Sequence, residues 1–129
     1  MCNDQAISQN PTNTGNVFDL TPANDGCLYG EQQGVWFRFT AAMAGNIAFT
    51  IQVPNTTDYD FAVWGPYSTL TPACPPVGPP LRCSASGVYG NTGLNYTALD
   101  VSEDPYGDKW VRFIPTLANQ TYLLYVDNW

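Results

Sequence analysis

Residues 34–51 read GVWFRFTAAMAGNIAFTI, and this stretch decides the fold class. Apolar side chains stand at every second position from residue 35 to residue 39, and again from residue 47 to residue 53. A period of two is typical of β-strands that bury one face against a core. Residues 41–45 separate the two runs as a turn, so we expect the two strands to pair as a hairpin.

Three further apolar runs predict strands at residues 60–64, 110–114 and 122–126, the first ending at Gly65-Pro66. Residues 66–98 are rich in proline, glycine and serine, so only short strands such as 86–89 are expected there. No stretch combines a helical period with helix caps. We predict an all-β antiparallel sandwich or jelly roll that is stapled by disulfides and lacks its last strand, which would follow residue 126.

A single domain is expected, with an N-terminal arm at residues 1–32 packed on a sandwich body at residues 33–129. The arm is polar and rich in turn residues, and one short apolar segment at residues 17–20 predicts a strand. Within the body, five phenylalanines lie in phase with valine and isoleucine and are assigned to the core: Phe37, Phe39, Phe49, Phe61 and Phe113.

The composition excludes several functions. Eleven acidic residues and four basic residues give a net charge of −7, which would repel a phosphate backbone, so nucleic-acid binding is not expected. The chain has no histidine, which excludes serine triads, Cys-His pairs and His-ligated zinc. A sandwich of 129 residues also lacks the deep cleft of a glycoside hydrolase. We therefore expect no enzyme, and no apolar run reaches the roughly 20 residues of a transmembrane helix.

The cysteines suggest an oxidising compartment. Cys2, Cys27, Cys74 and Cys83 allow three pairings. We expect Cys2 to pair with Cys27 and Cys74 with Cys83, because the second bridge would close the short proline-rich segment PPVGPPLR. A zinc site is disfavoured because the chain has no CxxC pair. The expected location is secreted, extracellular or on the cell surface.

Five segments occur in an order that resembles a known family: GVWFRFT (34–40), AGNIAFTI (44–51), DYDFAVWGPYSTLTPAC (58–74), LRCSAS (81–86) and QTYLLYVDNW (120–129). They resemble the β-sandwich modules of secreted Bacteroidetes surface proteins associated with gliding motility and type IX secretion, which are distantly similar to pre-peptidase C-terminal and CUB-like domains. The resemblance covers about residues 27–129 and is most specific at residues 58–66 and Cys74. It implies a non-catalytic extracellular module for adhesion, surface display or substrate attachment.

Six acidic residues are candidate calcium ligands: Asp58, Asp60, Asp100, Glu103, Asp104 and Asp108. Calcium takes carboxylate and carbonyl oxygens, and strand alternation places the first two on one face. An EF-hand is excluded because Pro105 stands where glycine must turn and Val111 stands where the closing glutamate is needed. The alternative is that residues 100–108 form a solvated turn and that Asp58 or Asp60 caps backbone N–H groups.

Five aromatic residues are candidate ligand contacts: Trp36, Trp110, Tyr89, Tyr96 and Tyr106. The two tryptophans alternate with core residues, so their indoles face away from the core, where they could stack on sugar rings. Alternatively, loops cover that face and the indoles form a second cluster. The three tyrosines lie in the loop region.

We expect an extracellular adhesion or assembly module whose partner is a glycan, a protein at the cell surface or copies of itself, with calcium as the one candidate cofactor. One alternative is a carbohydrate-binding module of a secreted hydrolase. Another is a repeating subunit of an extracellular filament, in which a sheet edge left open by the missing last strand accepts a strand from the next copy.

Overall fold

The structure is a computed structural model, and it describes residues 7–8, 17–54 and 56–129. This part of the chain contains strands and no helix, which confirms the all-β prediction. In chain order the strands are β1 (Val35–Thr40), β2 (Gly45–Ile47), β3 (Phe49–Ile51), β4 (Tyr59–Tyr67), β5 (Arg82–Ser84), β6 (Thr92–Asn95), β7 (Ser102–Glu103), β8 (Trp110–Arg112), β9 (Ile114–Thr116) and β10 (Thr121–Asn128).

The largest sheet has five strands in the order β1-β10-β4-β5-β7. The last strand, β10, lies between β1 and β4 and pairs antiparallel with both, with Val35 opposite Val126 on one side and Asp127 opposite Asp60 on the other. Both edges of β10 carry a ladder, so an open edge that accepts a strand would have to lie elsewhere. The edge strands of this sheet are β1, the most clearly alternating segment of the sequence, and β7.

The second layer consists of two small sheets, β2-β9 and β3-β6-β8. The two sheets are directly connected, because only one residue separates β2 from β3 and only one separates β8 from β9. The predicted hairpin between residues 35–40 and 47–53 is wrong: β1 joins the large sheet, while β2 and β3 join the second layer. The pairing is also not purely antiparallel, because β5-β7 and β6-β8 run parallel.

The two layers enclose one hydrophobic core. Its buried members are Phe61, Val63, Leu94, Val111, Ile114, Tyr122 and Val126, and Phe37, Phe39 and Phe49 pack against them. Four of the five predicted core phenylalanines are thus confirmed. Phe113 is not part of this core, because it separates β8 from β9 and lies half-buried beside Tyr96, with 5.2 Å between the ring centres.

A second hydrophobic cluster lies on the other face of the large sheet, under the arm. Leu20 and Leu28 of the arm are buried against Trp64, Leu123 and Tyr125 of the sheet. The large sheet is therefore covered on both faces, which explains why β4 is buried from Asp60 to Trp64 without alternation. The short strand expected at residues 17–20 is wrong, because this segment lies outside every sheet.

A disulfide between Cys27 and Cys83 ties the arm to β5, with 6.0 Å between the two Cα atoms. The expected pairings Cys2–Cys27 and Cys74–Cys83 are therefore wrong, because each shares one cysteine with this bridge. Cys74 is exposed, and Cys2 lies outside the described residues. Two strand boundaries also differ from the prediction: β4 continues through Gly65-Pro66 to Tyr67, and the loop region forms β6 at residues 92–95 rather than a strand at 86–89.

Candidate functional site

The strand directions bring two loops and the end of β10 to one end of the sandwich. Gly87 N donates to Pro105 O at 3.1 Å, and Ser86 Oγ donates to Gly107 O at 2.6 Å, so residues 86–91 lie beside residues 104–109. Trp129 N donates to Asp58 O at 3.0 Å, which places the end of β10 next to the start of β4. We call residues 86–91, 104–109 and Trp129 the loop end.

A buried ion pair supports the loop end. Lys109 is only 2% exposed, and its Nζ lies 2.7 Å from Asp58 Oδ1. The same Nζ donates to Ser86 O at 3.1 Å and to Val88 O. One ammonium group therefore joins the start of β4 to the loop that follows β5. Removing either charge would leave the other buried without its partner, which is costly.

A further carboxyl lies beside this pair. Asp60 is 4% exposed and its Oδ1 has no hydrogen-bond partner among the described residues. Burial and then the nearby Asp58 charge raise the pKa of Asp60 to about 7, against the opposing effect of Lys109. Asp127, opposite Asp60 on β10, differs because it accepts hydrogen bonds from Gln32 N at 2.9 Å and Gln33 N at 2.7 Å.

The acidic residues of the 100–108 loop shape its turns. Asp104 Oδ1 accepts from Tyr106 N at 2.8 Å, and Asp108 Oδ1 accepts from Trp110 N at 2.9 Å. Glu103 is buried beneath Gly107, and a Cβ atom at position 107 would collide with Oε2 of Glu103. Burial and then a hydrogen bond with Asp100 raise the pKa of Glu103 to about 7. Gly107 is therefore needed for close approach to a buried acid.

The six candidate calcium ligands are distributed among these separate roles. Asp58 pairs with Lys109, Asp60 lies beside that pair, and the remaining four belong to the 100–108 loop. Within residues 7–8, 17–54 and 56–129, no group of three or more acidic, cysteine or histidine side chains is arranged to hold a metal ion. Backbone N–H groups are capped by Asp104 and Asp108 rather than by Asp58 or Asp60, which the alternative interpretation expects to cap them.

Two of the candidate tyrosines lie at the loop end. Tyr89 is 65% exposed and Tyr106 is 95% exposed, and Val88 and Trp129 beside them are also exposed. Tyr96 is exposed as well, but it follows β6 at the far end of that strand and contacts Phe113. Two exposed rings on adjacent, internally braced loops form a surface that can contact a partner.

The two candidate tryptophans do not share a surface. Trp36 lies on β1 beneath the arm, with its ring centre 5.2 Å from that of Trp64 and 4.9 Å from that of Tyr125. Its Nε1 donates to Asp19 Oδ2 at 3.0 Å. Trp110 lies on β8 in the other layer and is half-buried. The arm therefore covers Trp36, as the alternative predicted, but Trp110 does not join it in a second cluster.

A cavity of about 300 Å³ remains between the arm and the large sheet. Trp36 and Tyr125 supply aromatic rings, and Asp19 and Glu31 supply carboxylates. The Asp19 N donates to Glu31 Oε2 at 2.7 Å. Burial raises the pKa of Glu31, and burial with three nearby carboxylates (Asp127, Glu31 and Asp19) raises the pKa of Tyr125 above its usual range. We call this space the arm pocket.

Sequence reasoning missed Lys109 and the arm pocket. Lys109 is the only lysine of the chain and lies in an acidic loop. This isolated positive charge is the one sequence feature that could have indicated an ion pair with a carboxylate. The arm pocket combines residues more than 90 positions apart, so no local pattern reveals it.

The chain matches no protein-family model, no curated protein and no solved structure. Among the described residues, no helix has the length and apolar character needed to cross a membrane. The fold and the side-chain contacts of the loop end and the arm pocket are therefore the physical basis for assigning a function.

Proposed function

We propose that this chain is a non-catalytic adhesion module of a larger secreted or cell-surface protein, and that it contacts its partner through the loop end. The observation that carries the proposal is the pair of exposed rings, Tyr89 and Tyr106, on adjacent loops that a buried ion pair holds in place. Tyrosine gives a large contact area at low cost in side-chain entropy, which is why it is enriched in binding surfaces.

The rigid support under the loop end favours binding. Lys109 holds the carbonyl groups of Ser86 and Val88, and Asp104 caps the turn that carries Tyr106. Loops that are already ordered lose little conformational entropy when a partner binds. A surface that is fixed before contact suits an adhesion module, which must hold its partner through few residues.

The resemblance to Bacteroidetes surface modules agrees with this proposal, and the disulfide between Cys27 and Cys83 is compatible with secretion. The partner is a glycan or a protein of the cell surface. Assembly into a filament by strand addition would have to use an edge strand such as β1 or β7 of the large sheet, since β10 already pairs on both sides.

The test compares the wild type with the double variant Tyr89→Ala/Tyr106→Ala. Binding is measured by affinity electrophoresis against a panel of purified polysaccharides and on protein-coated surfaces, with calcium and again with EDTA. Loss of both rings should weaken binding at least about tenfold, because exposed interface tyrosines each contribute roughly 1–2 kcal/mol.

The matched control is Tyr29→Ala, which removes an exposed tyrosine of the arm. This control should bind as the wild type does. Equal binding by the double variant and the wild type would reject the loop end as the contact surface. Light scattering on the same samples tests self-association, and an ordered oligomer would favour the filament alternative.

A carbohydrate-binding module is a second candidate, and the arm pocket is the observation that favours it. Sugar sites combine aromatic rings with carboxylate or amide groups that hydrogen-bond hydroxyls, and the arm pocket offers Trp36, Asp19 and Glu31. If a polysaccharide retards the wild type, Glu31→Gln should reduce the retardation when the arm pocket is the site. The loop-end double variant should reduce it when the loop end is the site.

A further inference from the structure

Lys109 and Asp58 form an unusual contact for a surface-protein domain. Lys109 Nζ lies 2.7 Å from Asp58 Oδ1, and the lysine side chain is 3% exposed while that of Asp58 is 16% exposed. Burying two full charges costs several kcal/mol per ion, and mutual attraction offsets this only in part. The contact therefore holds an amine and a carboxyl at hydrogen-bonding distance in a place where neutral groups would be favoured.

Asp60 adds an acid to the same place. It is 4% exposed, leaves Oδ1 without a hydrogen-bond partner among the described residues, and interacts electrostatically with both Asp58 and Lys109. A buried carboxyl without a hydrogen-bond partner is costly, so its presence here needs an explanation. It is close enough to Lys109 and Asp58 to interact with both electrostatically, which makes it the buried group available to accept a proton there.

We propose that Lys109 Nζ and the Asp58 carboxyl condense into an amide, which links the start of β4 covalently to the residue before β8. Asp60 accepts a proton from the ammonium, and the neutral amine then attacks Asp58 Cγ. The new bond is C–N, and the bond that breaks is C–O of the carboxyl. Two of the three ammonium protons leave with that oxygen as water, one of them by way of Asp60, and the third stays as the amide N–H.

Proximity and burial both favour this step. Well-oriented intramolecular groups react as if present at effective concentrations of roughly 10⁵–10⁸ M. Condensation also converts a buried ion pair into a neutral amide, so the desolvation cost of two charges disappears. The partly exposed Asp58 gives the water a path out, and the amide N–H can still donate to one of the carbonyls of Ser86 and Val88.

Intact mass spectrometry of the reduced, denatured full chain tests the proposal. The wild type should weigh less than its sequence by one water molecule. Lys109→Arg keeps the positive charge but has no amine to condense, so it should have its sequence mass. Asp60→Asn cannot carry the proton and should show a smaller cross-linked fraction, whereas Asp60→Glu should restore part of it.

Trypsin locates the bond. Trypsin cleaves after Lys109, which is the only lysine, and after the three arginines. The amide would block cleavage after Lys109. Fragments 39–82 and 83–112 should stay joined after reduction. A wild-type mass equal to the sequence mass would overturn the proposal. So would a missing water that maps elsewhere, for example to a succinimide at Asp25-Gly26. Full cross-linking in Asp60→Asn would overturn the role of Asp60.

Discussion

Replacement of the Cys27–Cys83 disulfide by alanine at both positions should lower the free energy of unfolding by about 4 kcal/mol. The bridge joins residues separated by 56 positions, and the chain-entropy relation gives this value for a loop of that length. The large effect follows from the length of the closed loop, and in the folded state the bridge also fixes the arm over a hydrophobic cluster.

The assay is urea denaturation followed by tryptophan fluorescence, which is sensitive here because Trp36 and Trp64 lie beneath the arm. The matched control is Ser84→Ala, a substitution at the neighbouring buried position of β5 whose hydroxyl has no hydrogen-bond partner among the described residues. This control should be neutral or slightly stabilising, because alanine removes an unsatisfied polar group.

A loss below about 1 kcal/mol in the double-alanine variant would refute the entropic argument. The pairing itself is tested by a tryptic map without reductant, in which a reducible bond should join fragment 1–38 to the fragment that begins at residue 83. A reducible bond from fragment 39–82 to that fragment would instead indicate the Cys74–Cys83 pairing and refute the structure at this point.

Three further substitutions test the packing and the buried acids. Gly34→Ala places a methyl group against the Tyr125 hydroxyl and ring and should cost about 1–3 kcal/mol in urea denaturation, whereas Gly45→Ala, with open space around its Cα, should change stability by less than about 0.5 kcal/mol. Trp64→Ala should cost about 3–5 kcal/mol, because this side chain is 1% exposed and its indole N–H bonds Gly78 O. Burial raises the pKa of Glu103 from 4.5 to about 7, so its contribution to stability is full below pH 4.5 and is lost as the pH rises through 7. In urea denaturation between pH 4 and pH 8, the wild type should lose stability with rising pH more steeply than Glu103→Gln, by up to about 1.4 kcal/mol per pH unit, while Asp60 titrates in both proteins; equal slopes would contradict the assignment.

Only the strands that satisfy a local rule could be predicted, whereas β5, β6 and β7 carry no such signal. The alternation around Phe37 predicted β1 correctly, since a period of two reports one buried face, but the single strand expected at residues 47–53 is divided between β2 and β3 of two different sheets. A period of two does not indicate which other strand each strand pairs with. The expected hairpin failed for this reason: residues 41–44 carry the chain from one layer to the other instead of turning it back within one sheet.

The second hydrophobic cluster could not be predicted, because its arm residues are isolated in sequence. Leu20 and Leu28 stand among polar and turn residues, and neither belongs to a periodic run. The alternation at Trp36 shows that its indole lies on the face opposite the core, but it does not show that the arm packs over that face. The disulfide was mispredicted for a related reason: short spacing favoured Cys74–Cys83, but folding brings Cys27 closer to the same sulfur.

Only part of the candidate site could be predicted. Tyr89 and Tyr106 were recognised as exposed loop residues, and the structure adds that their loops are neighbours. The pairing of Asp58 with Lys109 joins residues 51 positions apart, and a charge pattern along the chain gives no information about it.

The internal position of β10 has a mechanical consequence. A pull between the arm and Trp129 reaches β10 by two routes, along residues 28–34 into its neighbour β1, and through the Cys27–Cys83 bridge into β5 and across β4. Because β5, β4 and β10 are antiparallel neighbours, tension along β10 loads their hydrogen bonds together in shear rather than opening them one at a time. Resistance to force depends on the unfolding rate, so a protein built in this way can stay folded under load longer than its equilibrium stability alone would indicate.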